Sequence, residues 1–144
     1  MCLQEGERVS NPRYDWWPYV KGMIRRYPEL CARERELHET SVTPRYGGTG
    51  GGHGGRSDST AQAALRELPA VNRKELDAVQ KAIGTTRKLE TCGQRLRMVK
   101  MVYWDRTYTL EGAAMRLNVS LATAKRWNGE FIREVAEQFG LLER

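Results

Sequence analysis

The chain has 144 residues, enough for one ordinary domain or two small ones joined by a linker. Its 24 Lys and Arg outnumber 18 Asp and Glu, giving a formal charge of +6. No apolar run approaches a membrane span, and MCLQEGERVSNPRYDWW at the start lacks a signal peptide's apolar core. No membrane association is expected, and a cytoplasmic protein is. Cys2, Cys31 and Cys92 match neither a zinc pattern nor a disulfide framework, so reduced structural thiols and no metal or other cofactor are expected.

Most of the net charge lies in one stretch: residues 95–133 hold eight basic and three acidic side chains. A localised basic field attracts phosphates and speeds association at low salt, although a solvated basic surface is a common alternative.

In chain order, Tyr19 to Tyr27 and Glu29 to Glu39 read as two helical pieces interrupted at Pro28, since proline disturbs a helix interior. Tyr19, Met23, Ile24, Tyr27, Leu30, Cys31 and Leu37 form one stripe that must be buried against the rest of the chain or a second copy. The stretch 47–55, GGTGGGHGG, has nothing to bury and is expected to be a flexible linker. The chain therefore divides into an N-terminal helical segment, 1–46, a linker, 47–57, and a helical domain, 58–144. Within the last, Asp58 or Ser59 caps a helix to about Leu68, and Asn72 caps another with Leu76, Val79, Ile83 and Leu89 on one side. A further helix covers about Gly93 to Trp104. Alternating β-branched runs are absent, so the fold class is all-α.

The stretch 109–138 has the most specific pattern. Thr109 caps a short helix whose inward face is Ala113, Ala114 and Leu117, with small groups that let two helices cross closely. Asn118 stands where the chain turns sharply, and asparagine tolerates the left-handed conformation. Val119 plugs the corner and Ser120 caps a second helix, buried along Ala124, Trp127, Phe131 and Val135. That is the layout of a helix-turn-helix that inserts its second helix into a DNA major groove. Leu121, Ala122, Thr123, Lys125 and Arg126 then face outward. There Thr123 can hydrogen-bond base edges, Leu121 or Ala122 can touch a thymine methyl, and Lys125 or Arg126 can reach guanine or phosphate. Backbone N–H groups near Ser120 can hold a phosphate. Arg116 and Arg133 join the candidate DNA contacts, and Arg95, Arg97, Lys100 and Arg106 are expected to position the duplex. Gly129 is discordant in a helix interior, where it costs about 1 kcal/mol relative to alanine.

The segment YWDRTYTLEGAAMRLNVSLATAKRW resembles the promoter-reading C-terminal helix-turn-helix of bacterial sigma factors. The order of pieces over residues 19–140 resembles the RinA-type phage transcriptional activators. Those pieces are YVKGMIRRYPEL with Tyr27–Pro28, a glycine-rich break, a helical middle, and a sigma-like motif ending near EQFG. The resemblance implies a non-enzymatic late-gene activator of a phage or prophage, acting on double-stranded DNA at the nucleoid of a bacterial host. Activation would come from contact with RNA polymerase or from promoter bending, and the other helices would recruit a partner or form a homo-oligomer. Asn118 departs from the commoner turn glycine. Two other functions use the same residues: a small terminase-like DNA-packaging subunit, and a helical protein-interaction module with an incidental basic face.

Other signals are weaker. GGGHGGRS at Gly50 to Ser57 has Arg56 where a phosphate-binding loop needs lysine, and no apolar strand precedes it. Cys31 and His38 lack a third polar group to orient the histidine, and His53 has no second ligand nearby. Trp16 and Trp17 are expected to anchor the first helix to the core.

Overall fold

The computed structural model describes residues 14–42 and 67–142, with side chains to Glu39 in the first stretch. The expected linker 47–57, the caps at Asp58 or Ser59 and most of the helix after them, His53 and Cys2 lie outside the described residues. Within them the chain is all-α, and no strand occurs. The helices are α1 (Trp17–Val42), α2 (Ala70–Arg87), α3 (Cys92–Val99, extended by a π-helical turn, Lys100–Trp104), α4 (Leu110–Leu117) and α5 (Leu121–Phe139). None is long and apolar enough to cross a membrane.

The core forms where helical stripes meet. Val20, Met23 and Ile24 of α1, Val79 and Ala82 of α2, and Met98 and Val99 of α3 close on Ile132, Val135 and Ala136 of α5. Each large aliphatic side chain buried this way is worth roughly 1.5–3 kcal/mol. Helix α5 touches all four other helices. Among the described residues one acid is buried with the apolar groups: Glu75, only 4% exposed. It accepts hydrogen bonds from the Tyr19 hydroxyl at 2.7 Å and from Arg26 at 3.0 and 3.3 Å, which tie α1 to α2 and satisfy the buried charge.

Several local expectations are corrected. Helix α1 runs unbroken through Pro28. The ring removes the N–H that would bond the Ile24 carbonyl, and the Trp104 indole N–H bonds that oxygen instead, at 2.9 Å. Helix α2 starts at Ala70 rather than at an Asn72 cap, because the extended Pro69 leads straight into the first turn and its carbonyl accepts from Arg73 N–H. Leu89 lies beyond the end of α2 at Arg87 and is 43% exposed, so it leaves the inward stripe. Tyr19 also leaves its stripe: its ring meets the edge of Phe139 and is 41% exposed. Trp17 and Val20 take the buried places.

The π-helical turn directs two aromatic side chains to different helices. Tyr103 is buried and donates its hydroxyl to Asn128 of α5, while Trp104 turns to α1 and packs on Tyr27 with ring centres 5.5 Å apart. Burial pushes the Tyr103 phenol up to about 12.

Candidate nucleic-acid interface

The α4–α5 unit is set by capping at each of its corners. The Thr109 side chain accepts from Gly112 N–H at 3.1 Å, as an N-cap does. Asn118 ends α4 in the left-handed conformation, φ 62° and ψ 38°. Val119 N–H then returns to the Ala114 carbonyl at 3.0 Å, closing the turn that glycine more often makes. Ser120 Oγ accepts from Thr123 N–H at 3.1 Å and donates to Thr123 Oγ1 at 2.8 Å. Gly140, left-handed at φ 97°, ends α5 in the same way.

Burial fixes which side of α5 is free. Ala124, Trp127 and Phe131 are buried, and Trp127 is only 4% exposed despite its size. Ala113, Ala114 and Ala124 are the small groups at the crossing of α4 and α5, and Val119 packs against the core beside them. Ala122, Arg126 and Arg133 are exposed, and with the half-buried Gly129 they recur at intervals of four, three and four residues. Those intervals align on one face of a helix. Arg126 and Arg133 lie about 10 Å apart along it, at 1.5 Å per residue. A β-carbon on Gly129 would stand 3.8 Å from Arg133 Nη1 and 3.8 Å from the Trp17 ring of α1, ordinary contacts on both sides.

The candidate contacts fall into two groups. Ser120, Ala122, Lys125, Arg126, Arg116 and Arg133 are exposed, whereas Leu121 and Thr123 are half-buried. Thr123 is partly committed to the cap, but its hydroxyl proton remains to donate outward. The first turn of α5 carries no acid, and its opening N–H groups leave a partial positive charge.

One cation expected to face phosphates does not. Arg95 is ion-paired to Glu130, lies over Trp127 at 5.4 Å and keeps only 16% of its side chain exposed. The apolar indole and the carboxylate together hold it against the bundle. Glu130 also lies 3.9 Å from Arg126, a loose contact between exposed groups that a competing phosphate can displace. The other seven basic residues of 95–133 are exposed.

Two further exposed groups sit by the unit and carried no signal in the sequence. Met115 is 81% exposed on α4 beside Arg116, and Tyr108, 40% exposed, lies against Gly112 at the start of α4. A lone methionine or loop tyrosine reads as core or turn until the faces are known. Among the described residues no group of three or more His, Cys, Asp or Glu could hold a metal ion.

The chain matches no protein-family model, and comparison with curated proteins and with solved structures likewise yields no match.

Proposed function

We propose that this protein is a sequence-specific double-stranded DNA-binding regulator of transcription, with α4, the Asn118 turn and α5 acting as a helix-turn-helix. The observation that carries the proposal is the division of α5. Ala124, Trp127 and Phe131 hold one side in the core, while Ala122, Lys125 and Arg126 stand clear on the other. A rigid helix with short and basic side chains on its free N-terminal half is what a major groove admits. The basic surface around it supports phosphate attraction, and the N-terminus of α5 supports a backbone contact.

In this proposal Arg126 and Lys125 reach guanine or phosphate, and Thr123 and Ala122 meet base edges. Arg116 and Arg133 hold the flanking backbone. The resemblance to RinA-type activators and to the promoter-reading part of sigma factors supports a late-gene activator of a phage or prophage. Such a protein works at the nucleoid of its bacterial host, through RNA polymerase contact or promoter bending.

Selection of bound duplexes from a random pool tests the proposal. A defined base motif is the expected result, and its symmetry reports on dimerisation. Recovery of duplexes without any common motif, or of none at low salt, would remove sequence-specific recognition.

A further inference from the structure

A second surface lies where α1, α2 and α3 meet, and no residue of α4 or α5 lines it. It is an open groove of about 310 Å3. Its floor is Tyr27, Ile83, Leu96 and Trp104, and its rim is Arg87, Arg97 and Lys100. All three cations are exposed, and among the described residues none of them is ion-paired. Among the described residues no acid lines the groove.

We propose that this groove binds an acidic amphipathic segment of a partner protein, seating an apolar or aromatic side chain on Trp104 and Leu96 between carboxylates paired to Arg87, Arg97 and Lys100.

The chemistry of the lining selects that occupant. Tyrosine, tryptophan and arginine are the residue types that most often dominate binding energy at protein interfaces. An apolar floor inside a cationic rim is complementary to an amphipathic segment carrying the opposite charge. A nucleic-acid backbone would satisfy the three cations but gain nothing from the four apolar groups between them. The floor is also rigid: Trp104 is fixed by its bond to Ile24 and by Tyr27, so little side-chain freedom remains to be lost on binding.

Residues 1–13 and 43–66 do not supply an acidic occupant. Residues 43–66 carry Arg45, Arg56 and Arg66 against Asp58, and residues 1–13 balance Glu5 and Glu7 with Arg8 and Arg13. Neither stretch is acidic. Arg97 and Lys100, grouped in sequence with the duplex-positioning cations, stand on this groove and not beside the free face of α5, so they are reassigned from the duplex to the partner and the two surfaces can be occupied together.

The test uses the full chain and a fluorescein-labelled peptide of roughly 16 residues, about four helical turns. The peptide carries Glu and Asp throughout, with Leu and Phe at i, i+3, i+4 and i+7. Two control peptides replace the acids by lysine or the apolar residues by serine. Fluorescence anisotropy is expected to give saturable binding of the acidic amphipathic peptide in the micromolar range and weak binding of both controls. Arg97→Glu with Lys100→Glu, both at exposed positions, is expected to weaken binding about tenfold or more through rim repulsion. The same charge change at Arg35 and Lys81, exposed and outside the lining, should leave peptide binding within about twofold.

Equal binding of acidic and lysine peptides, or equal binding by wild type and the rim double variant, would overturn the proposal. So would a larger loss of duplex affinity in the rim variant than in the Arg35/Lys81 variant, which would make the groove a nucleic-acid surface. A concentration-dependent dimer in sedimentation, abolished by the rim changes, would instead assign the groove to a second copy of this chain.

Discussion

Trp104 donates its indole N–H to the carbonyl oxygen of Ile24 at 2.9 Å, and that oxygen is the one Pro28 leaves without a helical partner. A proline inside a helix costs about 3 kcal/mol relative to alanine, through the missing bond and the clash of its ring. Here the missing donor is replaced by one 80 residues away in sequence. Helix α1 stays continuous, and its continuity places Tyr27 on Trp104.

A double-mutant cycle checks this compensation. Trp104→Phe leaves the Ile24 carbonyl without its indole donor and is expected to destabilise by about 1–3 kcal/mol in urea unfolding. Pro28→Ala returns a backbone N–H to the same oxygen, so Trp104→Phe should cost about 1 kcal/mol less in that background. Strict additivity of the two changes would mean that the indole does not substitute for the lost helical bond.

The turn at Asn118 makes a second expectation. Its φ of 62° lies in the left-handed region, which costs an ordinary residue roughly 1–2 kcal/mol. Asn118→Gly is expected to be neutral or stabilising by a few tenths of a kcal/mol. Asn118→Val should lose about 1–2 kcal/mol, because a β-branched side chain resists this conformation most. Thermal unfolding of the two variants decides the matter, and equal midpoints would show that another residue sets the turn.

These cases separate what local rules reveal from what they cannot. Thr109, Asn118 and Ser120 act within three to five residues of themselves, so capping chemistry alone identifies their positions. Trp127 follows from the period of α5, whose apolar stripe is unambiguous. Pro28 is misread from sequence because its compensation comes from Trp104, which no local pattern connects to it. Arg95 fails for the same reason: Glu130, 35 residues away, draws it against Trp127. Glu75 is invisible as a buried acid until Tyr19 and Arg26 are brought beside it. The rim of the second groove is assembled from α2 and α3 and its floor from three helices, so no single segment announces it.

Alkaline pH should probe the packing of Tyr103. The unfolded phenol ionises near pH 10, the folded one at about 12. Between these values the unfolded chain releases a proton that the folded chain retains, so stability falls as pH rises. The contribution is complete below pH 10 and is lost progressively toward 12, on the order of 2 kcal/mol in all. Tyr103→Phe loses the bond to Asn128 and so starts lower, but its stability should fall less steeply between pH 9 and about 11.5. Some slope remains, because Tyr27 is also pushed up to about 12, by burial first and by its hydrogen bond with Cys31. Parallel pH profiles for wild type and Tyr103→Phe would show that Tyr103 ionises without opening the core.

The proposed recognition role makes Arg126 and Arg116 differ in kind as well as in degree. Arg126 lies on the free face of α5, one turn past Ala122, where a long side chain reaches base edges. Arg116 is exposed near the end of α4, the helix that crosses the backbone in such a motif. Arg126→Ala is expected to cost about 1–3 kcal/mol on the selected duplex and little on random duplexes, so base preference relaxes. Arg116→Ala should weaken both alike and lower the slope of log affinity against log salt by about 0.9, one phosphate contact. The loose contact of Arg126 with Glu130 adds an internal control. Glu130→Gln should raise affinity for every duplex modestly, since it removes a like-charged neighbour of the phosphates and releases both Arg126 and the ion-paired Arg95. Equal losses on selected and random duplexes for Arg126→Ala would place that arginine on the backbone, and sequence reading would then rest on Ala122, Thr123 and Lys125.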